Sequence, residues 1–104
     1  MMRQIVIATL LMSTAGCAYR FTRTQPAEPP RPADCEVDFL STLPSRPYVE
    51  LGVFEPDGDS AAELRAFTLR VRPAACAAGA DAVIAKVNGV GSYVQGVAIK
   101  YTDK

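Results

Sequence analysis

Residues 60–87 read SAAELRAFTLRVRPAACAAGADAVIAKV, and the fold is read outward from this stretch. Ser60 and Glu63 form an S-x-x-E box, in which two side chains satisfy free backbone amides at a helix start. Leu64, Phe67 and Val71 then fall at i, i+3 and i+7, a single apolar stripe that packs on a sheet. Arg65 and Arg72 lie on another face, toward water. Pro73 has no amide to donate, so the helix is expected to kink or split near Arg72. Ala74 to Ala78 resume it, and Gly79 is a natural C-terminal stop. From Asp81 the pattern changes, and Ala82-Val83-Ile84-Ala85-Lys86-Val87 reads as a strand.

Asn88-Gly89 to Ser92 signals a hairpin, and Tyr93 to Tyr101 supplies the strand that answers it. Upstream, Cys35, Val37 and Phe39 alternate with Glu36 and Asp38, as in a half-buried strand. Pro44 and Pro47 punctuate a connection from Ser41 to Pro47. Tyr48 to Phe54 forms another strand, with Val49, Leu51 and Val53 on one face. Gly52 in its middle hints at a bulge or a close neighbour. Pro56-Asp57-Gly58-Asp59 reads as a turn. The order β-β-α-β-β gives an α+β fold, one helix laid on a mostly antiparallel sheet.

The N-terminus has a different composition. Arg3 precedes an apolar run from Ile5 to Met12, and Ser13-Thr14-Ala15-Gly16-Cys17 follows. A run of about eight residues is short beside the roughly 20 that span a bilayer. It reads as a cleaved signal, and its end reads as a lipobox, with Cys17 the lipidated first residue of the mature chain. The competing reading is an ordinary secretory signal with an incidental cysteine. Lipoboxes favour Leu where this chain has Thr14, whereas Ala15 and Gly16 fit. Ala18 follows the cysteine, where Asp would suggest inner-membrane retention, so the outer membrane is the expected address. From Ala18 to Ala33 four prolines suggest a solvated, partly polyproline II spacer with a reach of roughly 50 Å. Expected boundaries are therefore 1–16 for the signal, 17–33 for the lipidated cysteine and tether, and 34–104 for one small domain.

Three cysteines are an awkward number in an oxidising compartment, since one thiol is left over. Lipid on Cys17 removes that one and leaves Cys35 and Cys76. A disulfide between them would close a loop of about 40 residues and stabilise by about 4 kcal/mol. Two buried free thiols or an intermolecular bridge are the alternatives. A metal on the same two thiolates would be two ligands short of a closed tetrahedron.

Composition excludes several functions. The 11 basic and 11 acidic residues balance, so no broad field draws nucleic acid. No histidine is present, which removes the commonest general base and metal ligand. Serines and threonines thus lack a partner for nucleophilic catalysis. Asp57, Asp59 and Ser60 lack the spaced ligands of a calcium loop, and Asp38 with Glu36 or Glu50 reads as a solvated strand face. No catalytic residue, metal site or cofactor is expected.

Ala78-Gly79-Ala80-Asp81-Ala82-Val83-Ile84, followed by Tyr93-Val94-Gln95-Gly96-Val97-Ala98-Ile99, is similar to the C-terminal half of YbjQ-like domains. With the lipobox and Pro-rich segment, the whole chain resembles the RcsF-like stress-signalling lipoproteins of the outer membrane. That resemblance implies a lipid-anchored, non-enzymatic domain that contacts another envelope protein, with no cofactor. Those lipoproteins have two disulfides in the folded domain, whereas here only Cys35 and Cys76 are available. YbjQ-like domains also form closed oligomers, which implies as an alternative a self-associating envelope subunit that uses its final strand. Binding of a small ligand or metal is a third class.

Overall fold

Two C-terminal apolar runs form the centre of one sheet. The structure, a computed structural model, describes residues 17–26 and 28–103, so the expected leader lies outside the described residues. β4 (Ala82–Val87) and β5 (Tyr93–Tyr101) pair antiparallel, as their alternation implies. In the turn between them the Asn88 side-chain oxygen accepts from the amides of Val90 and Ser92, both at 3.0 Å. Gly91, rather than Gly89, takes the left-handed conformation there, with φ 89°.

β3 (Tyr48–Gly58) lies antiparallel on the other side of β5. α1 (Leu64–Ala77) crosses one face and returns to β4. β3 and β4 are thus parallel with β5 inserted between them, a split β-α-β arrangement. β2 (Asp38–Leu40) adds in parallel to β4 at one edge. β1 (Cys17–Arg23) adds antiparallel to β3 at the other, giving the order β1-β3-β5-β4-β2. The class is α+β, one helix on a mostly antiparallel sheet.

Helix and sheet meet over Phe67, Val71, Ala75, Leu51, Phe54 and Val83, all fully buried. The Phe67 ring takes Tyr19 and Phe39 edge-on, at 5.1 and 5.9 Å, and stacks on Tyr93 at 5.2 Å. Burying each large side chain contributes about 1.5–3 kcal/mol. The opposite face buries Ala82, Ile84, Val97 and Ile99. The connection 41–47 passes on that side: Arg46 lies 3.7 Å above the Tyr101 ring and bonds Asp103 at 2.7 Å. Among the described residues no helix is long and apolar enough to cross a membrane.

Several expectations are corrected. The stretch read as a solvated spacer begins with an edge strand, because Tyr19 and Phe21 pack inward while Arg20, Thr22 and Arg23 stay exposed. The final strand β5 has a neighbour on both sides, so it offers no free edge for self-association; the sheet edges are β1 and β2. The S-x-x-E box is not used: Glu63 is the N-cap and makes no side-chain cap bond. Ser60 and Ala61 instead belong to the β3–α1 connection, where Ala61 bridges Tyr93. Pro73 neither breaks nor splits α1. It lies on the exposed side, and Leu69, whose carbonyl loses a donor, is itself exposed.

β3 also differs from its expected face. A register shift between Glu50 and Gly52 buries Leu51 and Phe54 together and leaves Val49 exposed and Val53 half-buried. Gly52 meets both readings made of it, since an added Cβ would strike the Phe21 ring. The strand then runs through Pro56 to Gly58 instead of turning. Pro56 lies beyond the last β3–β5 pair, Phe54 with Gly96, where one side of the strand has no ladder to interrupt. Leu64 is partly exposed, and Arg72 is half-buried with its Nε lacking a hydrogen-bond partner.

Candidate functional site

The three cysteines have distinct positions. Cys17 is the first residue of β1, opposite Gly58. Cys35 and Cys76 are joined, with their Cα atoms 5.9 Å apart and 41 residues of separation. The bond fastens the segment before β2 to the last turn of α1.

That segment, residues 28–37, is a strap over the helix C-terminus. Helices end with carbonyls lacking intrahelical donors, and the last turn of α1 has no basic residue of its own. The strap supplies both needs. The Arg31 amide donates to the Cys76 carbonyl at 2.8 Å, and its guanidinium donates to the Ala80 carbonyl at 2.6 Å. Arg31 also approaches Asp81 at 3.8 Å, on a side chain that is mostly buried. A cation here opposes the negative end of the helix dipole. Gly79, at φ 82°, permits the close approach, since a Cβ would lie 2.7 Å from the Glu28 Cβ and 2.8 Å from the Pro29 oxygen.

Tyr19 ties β1 to the middle of the sheet. Its hydroxyl donates to the Tyr93 carbonyl at 2.6 Å and accepts from the Ala61 amide at 2.8 Å. One buried phenol thus satisfies two backbone groups that would otherwise be left open, each costing about 1–3 kcal/mol unpaired. Beside it, Phe39, Leu40, Leu64, Ala85, Val87 and Tyr93 line an apolar cleft of about 130 Å³. Leu64 was read as part of the core stripe; it rims this cleft instead.

The loop 41–47, flagged by its prolines, is fastened at its far end. The hydrogen bond to Asp103 raises the Arg46 guanidinium pKa above its ordinary value. The Pro47 carbonyl accepts from the Thr102 amide at 3.1 Å.

The acidic candidates do not converge. Asp57 faces Arg20 at 3.9 Å. Asp38 on β2 and Glu50 on β3 are separated by β4 and β5. Among the described residues no group of three His, Cys, Asp or Glu side chains is placed to hold a metal ion. Reasoning from sequence missed Tyr19 and Arg31. Tyr19 had a signal in the alternation of Tyr19 and Phe21 with Arg20 and Thr22; Arg31 had none, because its partners are backbone carbonyls distant in the chain.

No family model matches this chain, and no curated protein or solved structure is found to be similar to it.

Proposed function

We propose that the protein is a bacterial envelope lipoprotein, anchored in the outer membrane through acyl chains on Cys17, whose small domain is non-enzymatic and binds another envelope protein. The finer reading is a role in sensing envelope stress, supported by the resemblance to RcsF-like lipoproteins. The observation that carries the proposal is how the cysteines divide. Cys35 and Cys76 bond each other, which leaves Cys17, where the apolar leader ends, as the remaining one of three cysteines. A disulfide fits an oxidising compartment, and a cysteine at that position fits the lipobox. Two or more acyl chains anchor stably, at about 0.8 kcal/mol per buried CH₂.

The full chain expressed in a Gram-negative host should fractionate with the outer membrane, and its N-terminal peptide should have the mass of an acylated cysteine. Cys17→Ser should accumulate as an unlipidated precursor. Crosslinking of the anchored protein, followed by mass spectrometry, should capture an envelope protein. Capture of only its own copies would favour the self-associating subunit, through an edge other than β5. A wild-type product released with an unmodified Cys17 would end the lipoprotein reading.

A further inference from the structure

Strand ends converge at one pole of the sheet. β1 begins there with Cys17 opposite Gly58, the end of β3. β5 runs antiparallel to β3 and β4 antiparallel to β5, which brings the turn Asn88–Ser92 to the same pole. α1 starts there as well, after the connection through Ala61, which bridges Tyr93. The cleft between Leu64 and Val87 opens beside that turn.

We infer that this pole is a membrane-contacting surface, in which the turn Asn88–Ser92 and the rim of the cleft sit in the headgroup boundary of the bilayer that holds Cys17. The inference rests on the lipid anchoring proposed above. Val90 at the turn is 86% exposed, and Val87 and Leu64 at the rim are 49% and 46% exposed. Asn88, Gly89, Val90, Gly91 and Ser92 bear no charge. Around them Arg20, Arg65 and Lys86 are outnumbered by Glu55, Asp57, Asp59 and Glu63, so the surface suits zwitterionic headgroups and has no excess of cations for anionic ones.

Attachment geometry decides the occupant. Residues 1–16 end at Cys17, and β1 starts at Cys17 itself, so no spacer separates the attachment point from the sheet. β1 and β5 are two strand spacings apart, about 10 Å. The Tyr19 hydroxyl locks β1 to Tyr93, the first residue after the turn. The turn carries Val90 at most about 10 Å past Tyr93, three residues on at about 3.4 Å each. A bilayer holding the acyl chains is therefore within reach of the turn without any rearrangement.

The chain contains no tryptophan, so Val90→Trp introduces a unique indole. Val49→Trp is the control, at the far end of β3 about 30 Å away. Both positions are exposed, so neither substitution enters the core. The full chain, with acylation of Cys17 checked by mass, is reconstituted in phosphatidylcholine vesicles with acyl chains brominated near the headgroup. The indole at position 90 should emit at shorter wavelength and be quenched several-fold more than that at position 49. Equal quenching at the two positions in the acylated protein overturns the membrane contact and leaves the anchor standing. An indole at position 90 shielded from aqueous iodide but unaffected by bromine places a second copy on the pole, and also overturns it. An unmodified Cys17 ends the anchoring reading, and this one with it.

Discussion

The C-terminal hairpin and the N-terminal third of the molecule are held by different means. β4 and β5 lie mid-sheet, and their order is written locally, in alternation and a five-residue turn. Residues 17–37 include four prolines and no continuous pattern, yet they form an edge strand and a strap. The strap is held by contacts made far along the chain: one disulfide, the Arg31 bonds and the hollow left by Gly79. Proline excludes helix and internal ladder, but it does not exclude fixed structure where side chains and backbone carbonyls elsewhere supply the partners.

Removing the covalent link should separate the two regions most strongly. Cys35→Ser with Cys76→Ser should cost about 4 kcal/mol in denaturant unfolding of the full chain in detergent. Hydrogen exchange should quicken first at the amides of residues 31 and 35, while Ile84 and Val97 hold longest. Equal protection of strap and hairpin in that variant would mean that the strap does not depend on the bond.

A pair of glycines sharpens the same contrast. Gly79→Ala and Gly91→Ala both place a side chain at positive φ, at 82° and 89°, a strain of about 1–2 kcal/mol. Nothing lies within 4 Å of a Cβ at Gly91, whereas at Gly79 the strap does. The Gly79 variant should therefore melt lower, and the difference measures how firmly the strap is seated. Identical melting temperatures would show that the strap yields freely.

Tyr19→Phe keeps the ring against Phe67 and removes only the hydroxyl. It should lose about 1–2 kcal/mol, with the Ala61 amide exchanging faster. Arg46→Ala should have the smallest effect, loosening the connection 41–47 at its exposed end. Its pH dependence follows from sign. A guanidinium pKa raised on folding contributes fully below the ordinary arginine range and is lost only above it. The difference in melting temperature from the parent should thus be unchanged between neutral and mildly alkaline buffer.

Legibility followed where the determinants lie. The helix stripe was readable because Phe67 and Val71 obey the helical period and meet the sheet. The pairing of Cys35 with Cys76, the preferred reading of the cysteine count over free thiols or an intermolecular bridge, is the bond the structure shows. β1 was overlooked because its alternation adjoins prolines, although Tyr19 and Phe21 displayed it. The unused S-x-x-E box and the uninterrupted helix at Pro73 show tertiary packing overriding a local signal. For Arg31 and Tyr19, both bonded to main-chain oxygens, side-chain chemistry alone does not name the partner.

The position of β5 has a consequence for how the polypeptide assembles. This strand leaves the ribosome after the other four strands of the described residues, yet β1 with β3 and β2 with β4 are two separate ladders until it is inserted. Such long-range closure is slow, and neither ladder is a finished sheet during synthesis. A nascent chain stopped at Ser92 would therefore present two raw strand flanks at once, and export before completion would carry an unclosed intermediate.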